Sequence, residues 1–75
     1  MSSESSSGEI VVTVNGTAQQ LPNGSTAHDL VASLGLEGRP VAVELNEQVV
    51  PRAELTGRVL HQDDRLEIVT LVGGG

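Results

Sequence analysis

The 75-residue sequence has no cysteine, no phenylalanine, tyrosine or tryptophan, and no lysine. Each absence excludes something. Without thiols there is neither a disulfide framework nor a cysteine-based zinc site, and the composition suits a reducing compartment. Without aromatic rings there is no stacking platform for single-stranded nucleic acid. The four positive side chains, all arginine, face ten acidic ones for a net charge of −6. That is the reverse of the basic footprint that phosphate backbones require, so nucleic acid is not an expected partner. Apolar runs of a few residues fall far short of the ~20 that a membrane helix needs. The N-terminal stretch MSSESSSGE has no basic segment and no apolar segment, so it does not read as a signal peptide. A cytoplasmic protein with no membrane partner is expected, with residues 1–8 a disordered serine-rich arm.

What is present is a small aliphatic core of Val, Leu, Ile and Ala, marginal at this size without staples. The segment EIVVTVNGTAQQL reads as a hairpin. Ile10, Val12 and Val14 alternate with Val11 and Thr13, and Asn15-Gly16 suits a two-residue type I′ turn because both central residues need positive φ. The second strand is expected from Thr17 to Leu21, closed by Pro22-Asn23-Gly24-Ser25. Next comes the one clear helix, in STAHDLVASLG. Thr26 is the expected N-cap, and Asp29 three positions on completes a capping box. Ala27, Leu30, Val31 and Leu34 share one face, and Gly35 with Leu36 has the pattern of a Schellman C-cap.

Further on, Val41 to Leu45 reads as a strand, Asn46-Glu47 as a turn, and a short strand ends at Val50. Pro51 then marks an edge or an exit, since it cannot donate to a ladder. Residues 53–62 show no strong period and are expected to form a loop with a short helical turn. Asp63-Asp64 makes the final turn, and Arg65 to Leu71 the last strand, with Leu66, Ile68 and Thr70 on one side. The order β-β-α-β-(β)-β predicts an α+β fold of the β-grasp type. It has a mixed sheet of four to five strands over residues 9–71, one main helix across it, and the last strand parallel to the first in the middle. Residues 72–75 would then project from the sheet as a free glycine tail.

The side chains offer little chemistry. His28 lies in the first helical turn off the apolar face and reads as a surface residue. His61 precedes two carboxylates that are also ordinary turn residues, and the ligand number and spacing match no metal site. Serines cluster in the N-terminal arm, where no base can be held against them, so a nucleophilic triad is not expected. The glycines Gly73, Gly74 and Gly75 are followed by no helix that could present its N-terminus to a phosphate. Their remaining use is the terminal α-carboxylate, ionised at neutral pH and inert until an oxygen becomes a leaving group. Glycines before it would let the tail thread a narrow channel.

The chain resembles the ubiquitin-like β-grasp superfamily, and within it the ThiS-type sulfur carriers of thiamin biosynthesis. The matching pieces are VTVNG at 12–16, LPNGSTAHDLVASLGL at 21–36, VAVELNEQVVPR at 41–52 and QDDRLEIVTLVGGG at 62–75. The most specific piece is Asn46 followed by Val50-Pro51-Arg52, combined with the acidic turn and the terminal glycines. The resemblance implies that the chain is not an enzyme but a protein cosubstrate that binds no cofactor. An ATP-dependent activating enzyme (ThiF-like) would adenylate Gly75. A cysteine-persulfide donor would then supply the sulfur of a C-terminal thiocarboxylate, and thiazole synthase (ThiG-like) would receive it. Gly74 and Gly73 would thread into the partner enzymes, and Leu71 and Val72 would be the nearest docking side chains. The family pattern ends in two glycines after a non-glycine; three stand here, which adds about 3.5 Å of reach. Carriers serving molybdopterin, cysteine or secondary-metabolite pathways share the fold and tail, and so do ubiquitin-like modifiers. An interaction domain with an inert tail is the remaining reading.

Overall fold

A computed structural model of the chain describes residues 8–71. The element order is β1 (Glu9–Val14), β2 (Thr17–Pro22), α1 (Ala27–Ser33), β3 (Val41–Leu45), β4 (Gln48–Val50), a 3₁₀ helix (Arg52–Gly57) and β5 (Arg65–Thr70). The five strands form one mixed sheet in the order β2-β1-β5-β3-β4. β1 and β5 run parallel in its centre, and the other neighbours are antiparallel. This is the expected β-grasp arrangement.

Local chemistry sets most of these elements. Asn15 and Gly16 take φ of 51° and 85°, as a type I′ turn demands, and β1 and β2 pair from Val14↔Thr17 to Glu9↔Pro22. Asn46 and Glu47 do the same between β3 and β4, with φ of 50° and 71°. Thr26 caps α1: its side chain accepts from Asp29 N–H at 3.1 Å, and Asp29 Oδ2 accepts from Thr26 N–H at 2.9 Å. That reciprocal pair satisfies two donors that the first turn leaves without intrahelical partners. At the other end Leu36 N–H reaches Val31 O (3.1 Å) and Gly35 N–H reaches Ala32 O (3.0 Å), with Gly35 at φ +79°. These bonds are the Schellman pattern. The helix is one residue shorter than its apolar periodicity suggests: Leu34 is the C-cap and is only half-buried.

The core lies between the sheet and α1. Its most deeply buried large side chains are Leu30, Leu60, Leu66, Val12 and Val43. Each such side chain contributes about 1.5–3 kcal/mol by leaving water. The region with no sequence period contributes two core residues, Leu55 and Leu60. Leu60 is fixed by backbone pairing with the start of α1, through Leu60 N–H to Ser25 O and Ala27 N–H to Arg58 O, both 2.8 Å. The 3₁₀ helix begins at Arg52, right after Pro51, whose missing N–H ends β4. Gly8 O accepts from Asn23 N–H at 2.9 Å, tying the entry of β1 to the end of β2.

Candidate functional site

The strand that leads to the terminal glycines is β5, so its surroundings decide how they are presented. At its start β5 is held from both sides. Toward β1, Thr13 N–H donates to Asp64 O, Asn15 N–H to Leu66 O and Asp63 N–H to Val11 O, all at 2.8–2.9 Å. The preceding turn is closed by His61 N–H to Asp64 Oδ2 at 2.8 Å. Toward β3, Asn46 N–H donates to Arg65 O (2.7 Å), and Asn46 Oδ1 accepts from Arg65 N–H (3.0 Å). Asn46 Nδ2 also reaches Asp64 Oδ1 at 3.0 Å. Leu66 and Ile68 point into the core.

Asn15 extends the hold by one step. Ile68 N–H donates to Asn15 Oδ1 (2.8 Å) and Asn15 Nδ2 donates to Ile68 O (2.9 Å). The side-chain amide stands in for a residue of β1 just where β1 turns away into β2. Two asparagines in left-handed conformation therefore clamp β5 from opposite edges. Neither role follows from the sequence reading, which accounts for both residues as turn formers. An Asn-Gly turn leaves open where its amide points.

Beyond Ile68, among the described residues, the strand is held on one side only. Ala42↔Val69 and Val41↔Thr70 continue the β3 ladder, and Leu71 N–H donates to Pro40 O at 2.9 Å. Leu71 is 52% exposed. The other expected site residues, Val72, Gly73, Gly74 and Gly75, lie outside the described residues.

The sheet face away from α1 is open. Val11, Val49, Val69 and Leu71 are exposed on it or at its rim. Glu44 and Glu67 stand directly opposite one another on β3 and β5, and Glu47 lines the same shallow depression with Ala42 and Val69. Like charges in directly opposed positions destabilise a sheet slightly. This surface is therefore apolar along the end of β5 and acidic beside it.

The remaining candidates are dispersed. His28 Nε2 lies 3.5 Å from Glu37 Oε2 at the surface. Arg58 pairs with Glu54 at 3.1 Å. Among the described residues no group of three or more His, Asp or Glu comes together as metal ligands would. None of the described helices is long and apolar enough to cross a membrane.

Comparison with known proteins matches this geometry. The chain is 36% identical over 62 residues to a thiazole synthase of Paramagnetospirillum magneticum, covering 83% of this chain but 19% of that protein. It thus spans about a fifth of the thiazole synthases it resembles. It is 35% identical over 65 residues to the sulfur carrier protein ThiS of Thermus thermophilus, covering 87% of this chain and all of that one. The crystal structure of a thiamine biosynthesis protein (ThiS) from Geobacter metallireducens superposes with a TM-score of 0.74 at 26% identity, covering 88% of this chain and 100% of that one. The model of the ThiS family matches residues 12–75, a stretch that includes β5 and the three glycines, and the chain belongs to that family.

Proposed function

We propose that this chain is a sulfur carrier of thiamin biosynthesis whose reactive group is the α-carboxylate of Gly75. The match to the ThiS family, which runs through Gly73, Gly74 and Gly75, is the observation that carries this reading. A carboxylate oxygen of Gly75 attacks the α-phosphorus of ATP on an activating enzyme, and pyrophosphate leaves. The acyl-adenylate then has a good leaving group. A cysteine persulfide displaces AMP, and reduction of the resulting S–S bond by a thiol of the donor system leaves the thiocarboxylate. Thiazole synthase takes the sulfur. Support for that acceptor comes from the thiazole synthases in which a segment like this chain is part of the same polypeptide.

In this scheme the chain is a cosubstrate acting in the cytoplasm, and the ATP belongs to its partner. Its own contribution is positional. The clamped part of β5 fixes where the tail departs, Leu71 and Val72 meet the enzyme wall, and Gly74 and Gly73 thread because they lack side chains. The acidic open face would steer encounters toward a basic partner surface.

The test is ATP–pyrophosphate exchange by the activating enzyme of the same organism. The full chain supports exchange, and a variant lacking Gly74 and Gly75 abolishes it. Equal exchange with both, or none with the full chain, would remove the carrier reading.

A further inference from the structure

The register of β5 leaves one backbone edge uncovered next to the tail. In the ladder with β3, the hydrogen bonds of Asn46 with Arg65 and of Leu71 with Pro40 show that residues 65, 67, 69 and 71 turn their N–H and C=O groups toward β3. Residues 66, 68 and 70 turn theirs toward β1, by the alternation of an antiparallel pair. Leu66 is met there by Asn15 N–H, and Ile68 by the Asn15 side chain. Thr70 is the next in that row. The register of β1 with β5 ends at Val14↔Leu66, β1 turns back at Asn15-Gly16, and among the described residues no strand runs beside Thr70.

We propose that the N–H and C=O of Thr70 are the docking edge on which the activating enzyme places an extended segment of its own main chain, continuing the sheet where β1 stops. The proposal rests on the carrier reading above and adds how the partner grips the strand. Two features point to this occupant. A donor and an acceptor at strand spacing match the backbone of another extended segment, and pairing of this kind gives affinity without demanding particular side chains. The four residues after Leu71 span at most about 14 Å. An enzyme that holds the Gly75 carboxylate at its nucleotide therefore has a wall alongside Thr70. Val69 and Leu71 point out on the open face next to this edge and would be covered by the same segment.

This assignment separates two neighbouring amides. Leu71 N–H is already bonded within the protein, whereas Thr70 N–H has no partner among the described residues. Amide hydrogen exchange read residue by residue by NMR, on the full chain alone and in complex with the activating enzyme, tests it. In the free protein Thr70 exchanges much faster than Ile68 and Leu71. In the complex it slows by at least about 100-fold, the protection that a closed strand pair confers. A functional arm uses Thr70→Pro, which removes that N–H and also fixes φ at about −65°, with Thr70→Val as the control that keeps the N–H. Thr70→Pro raises the KM for the carrier in pyrophosphate exchange by about tenfold, the value of one hydrogen bond, while Thr70→Val and the melting temperatures stay unchanged.

A complex that supports exchange yet leaves the Thr70 amide as fast as in the free protein overturns the proposal and spares the carrier reading. A Thr70 amide protected in the free protein in a concentration-dependent way also overturns it, because a second copy of the chain is then the occupant. Loss of pyrophosphate exchange with the unmodified chain would take both readings down together.

Discussion

β5 is six residues long, and its two ends are held differently. At Arg65 and Leu66 the strand lies between β1 and β3, ringed by backbone bonds and by the side chain of Asn46. At Thr70 and Leu71, among the described residues, it keeps only β3 and Pro40 on one edge. The crossover is at Ile68, where the Asn15 amide makes the last contact on the β1 side. On the proposed carrier reading, a tail threaded into another protein benefits from both halves. The clamped half keeps its direction fixed, so less freedom is lost on docking, and the open half leaves hydrogen-bonding groups for the partner. On the same reading, the comparison shows how one strand can be rigid where it is mounted and open where a partner would grip it.

That contrast can be broken at three points of decreasing severity. Leu66→Ala empties a fully buried site in the clamped half and should cost about 2–5 kcal/mol in urea unfolding, enough to threaten a domain of this size. Asn15→Gly keeps the left-handed turn but removes both amide bonds to Ile68. It should cost about 1–3 kcal/mol, because it strands the Ile68 N–H and C=O. Its signature is selective: amide exchange at Ile68 accelerates more than at Val43, which lies in the core of β3. If Ile68 exchange does not change, Asn15 is not a clamp. Leu71→Ala in the open half should change stability by less than about 0.5 kcal/mol, as for other exposed positions. It should nevertheless weaken binding to the activating enzyme, measured by calorimetry. A stability loss as large as that of Leu66→Ala would erase the difference between the two ends.

Much of this was legible in the sequence where the chemistry is local. The turn at Asn15-Gly16, the Thr26–Asp29 capping box and the Gly35–Leu36 C-cap each rest on residues within a few positions of one another. Once β1, α1 and the last strand were recognised, the central parallel pair followed from packing one helix over a small sheet. What stayed hidden depends on partners far apart in the chain. The amides of Asn15 and Asn46 find β5 only after the sheet has formed, 53 residues from Asn15 to Ile68 in one case. The Glu44–Glu67 opposition is likewise a consequence of register. Leu55 and Leu60 escaped because a 3₁₀ turn followed by a single bridge has no apolar period to read. Of the expected site, only Leu71 can be placed in the structure. The glycines are known by their place in the sequence, after β5, Leu71 and Val72.

The central claim, that Gly75 carries the sulfur, is tested most directly by intact-protein mass spectrometry after incubation with the activating enzyme, ATP and a persulfide donor. The account predicts a species heavier by about 16 Da, because sulfur replaces one oxygen, with fragmentation locating the gain on Gly75. An unchanged mass under conditions where the enzyme consumes ATP on this chain, or a gain located on any other residue, would contradict it.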